Sequence, residues 1–299
     1  MKLVSIYIRI KNRIKVIPYY DIPRLPTIFR GVFHNNLIKG YWCDFANFGD
    51  QITPLLLEYY KFTPLLSPAK HARFVSTGSI LEHIPKSFSG SILGAGFIYE
   101  SSRETFPKAK IIGVRGQLTK DHLGLSRNKD VILGDPGLLA SKFLQWRENK
   151  QYNLGIIPHY IDKNNINIQR IYNLWPQKVN IINVEQKDPL IVFKEIDKCK
   201  YIVSSSLHGL IVADSLGIPN AWFYSPGLEG NRFKFEDYYS SLNITVPKRY
   251  EISETNTLDE LISMTTLKPQ ETIEELKKSL DNAFLSMRRR KYVLSRLRL

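Results

Sequence analysis

From about residue 70 the chain repeats one unit: a short apolar, β-type run, a glycine-containing turn, then a segment with helical spacing. Strands are predicted at 73–76, 91–93, 110–114 and 130–133, with helical segments at 79–83, 117–122 and 138–144 between or after them. A polar stretch, 145–153, interrupts the pattern. It restarts with strands at 154–157, 179–184, 201–204 and 221–224 and helices at 166–174, 190–198 and 207–216. Near-continuous apolar strands separated by helices of about ten residues indicate parallel sheets covered on both faces. Two such units imply an α/β protein with two Rossmann-like domains facing a cleft, divided at 1–150 and 151–250. The remainder, 251–299, is mostly helical, with Ile273, Leu276, Leu280, Phe284 and Met287 marking a docking face. Upstream, Asp50 reads as the N-cap of a helix to about Tyr60, with Pro54 in its first turns. Residues 18–40 show no pattern.

Charge separates the ends from the body. The net +14 of the 299 residues is concentrated in 1–30, with seven basic side chains against Asp21 alone, and in 288–299, with six basic side chains and no acid. A nucleic-acid enzyme more often spreads basic residues through its working domain, so nucleic acid is not an expected partner. Basic ends mixed with Leu, Ile, Val and Tyr fit an anionic membrane surface, or a pair of solvated tails. No apolar run approaches the ~20 residues of a membrane-spanning helix, and the basic residues of 1–17 break up a secretory signal. Cys43 and Cys199 are too few for a disulfide framework or a zinc site and read as buried thiols in a reducing cytoplasm.

Ligands of doubly wound sheets collect beyond the carboxyl ends of the strands. The strongest polar cluster at such an end is Ser204-Ser205-Ser206-Leu207-His208-Gly209, which opens an apolar helix. Serine hydroxyls beside the free N–H groups of a helix N-terminus suit phosphate or carboxylate. His208 in the first turn could donate to an anion or move a proton. In Val114-Arg115-Gly116 the guanidinium is a planar fork for an anion, or an interdomain ion pair. In Asn47-Phe48-Gly49-Asp50 a glycine turn brings Asn47 and Asp50 together, Asp50 as a base or as a cap. Gly94-Ala95-Gly96 and Gly134-Asp135-Pro136-Gly137 are further strand-end loops permitting close backbone approach, and His159 ends the first strand of the second half. The Gly94 loop lacks GxGxxG spacing, and no GxxxxGK[ST], HExxH, GxSxG or DxD motif occurs, so neither a bound metal nor a cofactor is expected.

Taken in order, Asn47-Phe48-Gly49-Asp50, Gly78-Ser79-Ile80, Gly94-Ala95-Gly96, Val114-Arg115-Gly116, Leu133-Gly134-Asp135-Pro136 and Ser205-Ser206-Leu207-His208-Gly209 resemble the polysaccharide pyruvyl transferase family. Arg232-Phe233-Lys234-Phe235 and Asp237-Tyr238-Tyr239 after the last strand resemble its exopolysaccharide ketal-forming branch. The resemblance implies a GT-B-like fold and transfer of pyruvate from phosphoenolpyruvate to two hydroxyls of one sugar. It puts the family's anion-binding arginine at Arg115 and its histidine at His208. Where some relatives carry an arginine two places before that histidine, this chain has Ser206, leaving phosphate to hydroxyls, Arg232 or Lys234. On this reading His208 is the acid and Asp50 the base. Asn47, Gly49, Gly94, Gly96, Asp135, His159, Ser205, Ser206, Leu207, Arg232 and Lys234 line the substrate site. The implied acceptor is a lipid-linked or oligosaccharide precursor at the inner face of the membrane. A nucleotide-sugar glycosyltransferase of GT-B type, or a non-catalytic scaffold of a polysaccharide assembly complex, are the rival readings.

Overall fold

The computed structural model describes residues 31–296 except 32, 34–35, 45, 225–231 and 247–249, with side chains described through Arg289. The basic stretch 1–30 and the side chains of the last ten residues lie outside the described residues. Strands β1 (Leu37–Tyr41), β2 (Thr63–Leu66), β3 (Phe74–Val75), β4 (Ser91–Leu93), β5 (Lys110–Val114) and β6 (Ile132–Leu133) form a six-stranded sheet in the order β2-β1-β3-β4-β5-β6. Strands β7 (Tyr152–Ile157), β8 (Val179–Ile181), β9 (Cys199–Ser204) and β10 (Asn220–Trp222) form a four-stranded sheet in the order β10-β9-β7-β8. Every ladder in both sheets is parallel, as the apolar runs and intervening helices require. Residues 145–151 of the polar stretch separate the strands of one sheet from those of the other, and its last two residues open β7.

The helices are α1 (Ile52–Tyr59), α2 (Gln117–His122), α3 (Ile166–Leu174), α4 (Pro189–Asp197), α5 (Leu207–Ser215), α6 (Phe233–Ser241), α7 (Leu258–Ser263) and α8 (Gln270–Arg296). Local sequence explains several starts. Asn165 accepts from two amides at the head of α3, and Asp188 caps α4 just before Pro189, both favoured N-terminal arrangements. Two predicted helical segments are 3₁₀ turns instead, Leu81–His83 and Pro136–Phe143. The first has no room to lengthen before Pro85, which biases Ile84 toward extended backbone.

Two expectations need correction. Strands β1 and β2 lie in sequence that showed no strand pattern. β2 contains Pro64 and is an edge strand, where a missing N–H is tolerated. The N-cap of α1 is Gln51, not Asp50. A turn over 48–50 already supplies acceptors, with the Gln51 amide donating to Phe48 O and the Ile52 amide to Gly49 O. The Asp50 carboxylate is therefore released from capping.

One apolar core runs through both halves. It includes Ile52, Leu56 and Leu138 from before the polar stretch and Leu210, Ile211, Trp222 and Phe235 from after it. Helix α5 is apolar almost all round because it is enclosed on several sides, by β9, β10, α4 and the Pro136–Phe143 turn. Helix α8 returns to the first sheet through the expected stripe. Ile273, Leu280 and Phe284 are fully buried, and Phe284 stacks on Tyr60 with ring centroids 4.7 Å apart. Among the described residues no helix is long and apolar enough to cross a membrane.

Candidate active site

A cleft of about 450 Å³ opens beyond the carboxyl ends of strands from both sheets. Cys43, Asn47 and Asp50 enter it after β1, Ser79 after β3, His159 and Tyr160 after β7, and Ser206, Leu207 and His208 after β9. Lys234 reaches it from the first turn of α6. A larger groove of about 870 Å³ lies between α8 and the first sheet, against β1, β3, β4, β5 and β6. It contains none of the strand-end cluster, and the smaller cleft is where the chemistry gathers.

Each wall of the cleft follows from local structure. Ser206 is the N-cap of α5, and its side chain makes no capping bond. The first turn of α5 therefore directs backbone N–H groups and the positive end of the helix dipole at the cleft. His208, in that turn, packs edge-on against Phe48. A Cβ on Gly49 would fall on the His208 ring, so glycine is what lets the two loops meet. Asn47 Oδ1 accepts from the Gly49 amide (3.1 Å) and fixes that turn.

The titrating groups are pushed apart. Burial drives the Asp50 carboxyl up to about 7, against the opposing pull of Lys234. Burial, with Arg115 and Lys234 nearby, drives His208 down to about 3. These shifts favour an uncharged imidazole and resist ionisation of the carboxyl near neutral pH. His159, half-buried, is lowered to about 4 by desolvation and by Lys234. Two groups on one cleft with separated protonation ranges are equipped to exchange protons in opposite senses.

Several expected site residues are elsewhere. Arg115 is fully buried, and its guanidinium is already engaged by Asp237 Oδ2 (2.8 Å), the Phe97 carbonyl (2.6 Å) and Ser79 Oγ. It stands behind the cleft wall rather than offering a fork to a ligand. Gly96 gives that guanidinium its seat, and Gly94 packs against Pro136, so both glycines serve protein packing. Ser205 is spent on structure: its hydroxyl donates to Asp162 Oδ2 (2.7 Å) and accepts from the His159 amide (2.8 Å). Asp135 is wholly buried behind His208. Arg232 pairs with Glu236 and lies over the Trp222 ring, outside the cleft lining. Lys234 supplies the cationic side chain at the lining that Arg115 was expected to provide. His83, Tyr160 and Glu185 line the cleft without having been singled out, since none stands in a cluster whose spacing suggests chemistry.

Residues 27–226, two thirds of the chain, match the model of the family described as polysaccharide pyruvyl transferase. The chain belongs to this family. Among its relatives is an uncharacterized protein, L143, of Acanthamoeba polyphaga mimivirus, 37% identical over 58% of this chain and 61% of that one. Another is the succinoglycan biosynthesis protein ExoV of Rhizobium meliloti (strain 1021), 27% identical over 71% of this chain and 67% of that one. The chain thus spans roughly two thirds of each curated relative. A solved structure of an uncharacterized protein from Klebsiella pneumoniae aligns over 76% of this chain and 96% of its own at 14% identity and a TM-score of 0.42. The family match covers every strand-end loop that forms the cleft, apart from the α6 segment carrying Lys234. This pyruvyl transferase family member therefore has its matched segment and its strand-end cleft in the same place.

Proposed function

We propose that this protein transfers pyruvate from phosphoenolpyruvate to two hydroxyls of one sugar in a surface-polysaccharide precursor, forming a cyclic ketal and releasing phosphate. The observation that carries the reading is the meeting of Asp50, His208, Lys234 and the α5 N-terminus in one cleft. Phosphoenolpyruvate has an anion at each end of three carbons and needs two separate poles. Lys234 is one and the amides of Leu207 and His208, with the Ser206 hydroxyl, are the other. The reading treats 1–150 and 151–250 as paired Rossmann-like domains in a GT-B-like arrangement, with 251–299 as a helical extension.

The resting protonation states exchange the roles expected from sequence. Asp50, held neutral up to about pH 7 by burial, gives its proton to the methylene carbon of the enol. The acceptor hydroxyl adds to the resulting oxocarbenium-like carbon, and its proton goes to neutral His208. The C–O bond to phosphate then breaks, and the imidazolium returns its proton to the departing phosphate. The second hydroxyl closes the ketal and its proton restores the Asp50 carboxyl. Both groups end as they began. Such proton transfer contributes ~10²–10⁴-fold to rate, and donors fixed around the developing charge add a comparable factor.

The acceptor in this reading is a saccharide on a lipid carrier at the inner face of the cytoplasmic membrane, which gives the basic ends an anionic surface to meet. The test is incubation with phosphoenolpyruvate and a panel of galactosides, glucosides and mannosides, following free phosphate and product mass. Release of phosphate with a pyruvate-bearing product is the expected result. Transfer from a sugar nucleotide without phosphoenolpyruvate would identify a glycosyltransferase instead, and absence of donor binding a scaffold.

A further inference from the structure

The cleft wall holds two enclosed polar atoms that face one another and make no hydrogen bond: Asp135 Oδ2 and His208 Nε2, 3.9 Å apart. An acceptor buried without a partner is costly, so two such atoms 3.9 Å apart call for a reason. The other carboxylate oxygen is fully occupied in a structural task. Asp135 caps the turn Pro136–Phe143, its Oδ1 accepting from the Gly137 amide at 2.8 Å. That cap fixes the orientation of the carboxylate and leaves Oδ2 aimed at the imidazole. On the opposite side, Gly49 and Phe48 hold the ring in place.

We infer that Asp135 is a positioning residue for His208: it holds the imidazole in the tautomer with the proton on Nε2, turned toward the carboxylate, leaving Nδ1 unprotonated to receive a proton. This rests on the reading of His208 as the base and deepens it. A carboxylate behind an imidazole fixes its tautomer and steadies the imidazolium formed during proton transfer. The gap needs to shorten by about 1 Å to reach hydrogen-bond length, and such contacts are often long before substrate binds. Burial works against ionisation of Asp135, and Arg115 with two backbone amides works for it. Burial raises its carboxyl to about 6, while the Gly137 amide, Arg115 and the Gly78 amide draw it down and Asp237 raises it. Arg115 and Lys234 face His208 and oppose its protonation, and Tyr238 stands near Asp135. Asp135 is then the group that offsets those two cations once His208 takes a proton.

The cap makes the substitution Asp135→Asn unusually informative. The asparagine carbonyl oxygen inherits the bond from the Gly137 amide, so its NH₂ group replaces Oδ2 and points a donor at Nε2. The tautomer should reverse. The experiment is nitrogen-15 NMR of histidine-labelled full-length protein, wild type and D135N, with the His208 signal identified by its loss in H208Q. Protonated Nε2 in the wild type and protonated Nδ1 in D135N are the expected result. Protonated Nδ1 in the wild type overturns the inference, as does an unchanged tautomer in D135N, and the wild-type spectrum alone decides if D135N does not fold. This readout needs no turnover, so it stands apart from the question of whether phosphoenolpyruvate is the donor. Where turnover is measurable, D135N should lose ~10²-fold or more in kcat with little change in donor KM. A loss confined to KM overturns the positioning role.

Discussion

Arg115 Nε lies 2.8 Å from Asp237 Oδ2, two fully buried groups 122 residues apart in sequence. The Thr119 amide and hydroxyl donate to the same carboxylate at 2.8 and 2.7 Å. This pair fastens α6 to the end of β5, and Lys234, one turn before Asp237, is thereby carried to the cleft. Removing one partner of a buried pair strands the other charge, at a cost of ~3–5 kcal/mol. R115A and D237A are expected to lose about that much in denaturant unfolding. Loss of donor binding by R115A with stability unchanged would restore Arg115 as a ligand-binding fork.

Lys234 is expected to carry donor affinity. K234A should weaken phosphoenolpyruvate binding ~10–100-fold in calorimetry, the worth of a charge-assisted contact of ~1.5–3 kcal/mol. It also has a pH signature. Lys234 lowers both Asp50 and His208, so its removal raises both. Wild-type kcat/KM should fall as pH rises through about 7, where Asp50 loses its proton, and in K234A this fall should move to higher pH.

Asp50 couples the site to stability. Its folded value of about 7 exceeds the ordinary carboxylate value of 3.8. The folded state then keeps a proton that the unfolded state releases, so this contribution is present at low pH and is lost as pH rises from 3.8 through 7. D50N removes that loss. It should raise Tm relative to wild type at pH 8, show a smaller gain at pH 4, and be deficient in turnover at both. A lower Tm at pH 8 would contradict the buried, protonated carboxyl.

The two adjacent serines should separate. S205A loses bonds to Asp162 and His159 and is expected to cost ~1–3 kcal/mol in stability. S206A leaves the helix uncapped as before and should act on donor KM instead. Equal effects of the two on KM would return Ser205 to the site.

The parallel α/β layout and the strand-end position of the His208 and Asp50 loops were legible because each depends on local pattern: apolar runs, glycine turns and a helix start. What was not legible depends on distant partners. The sequence places Arg115 at a strand end, but the use of its fork is decided by Asp237. Ser205 looks equivalent to Ser206 until Asp162 folds against it. Strands β1 and β2 escaped notice because Gly40, Lys39 and Pro64 interrupt runs of only five and four residues. Lys234 was read only as an alternative because nothing local shows that α6 leans over the cleft.

The most direct measurement is the reaction run in D₂O with phosphoenolpyruvate and an accepted saccharide, the product read by mass spectrometry and NMR. The expected product carries a pyruvate ketal whose methyl group holds one deuterium, formed with one equivalent of free phosphate. A ketal methyl without deuterium, or a saccharide unchanged while phosphoenolpyruvate is present, would contradict proton donation to the enol in this cleft.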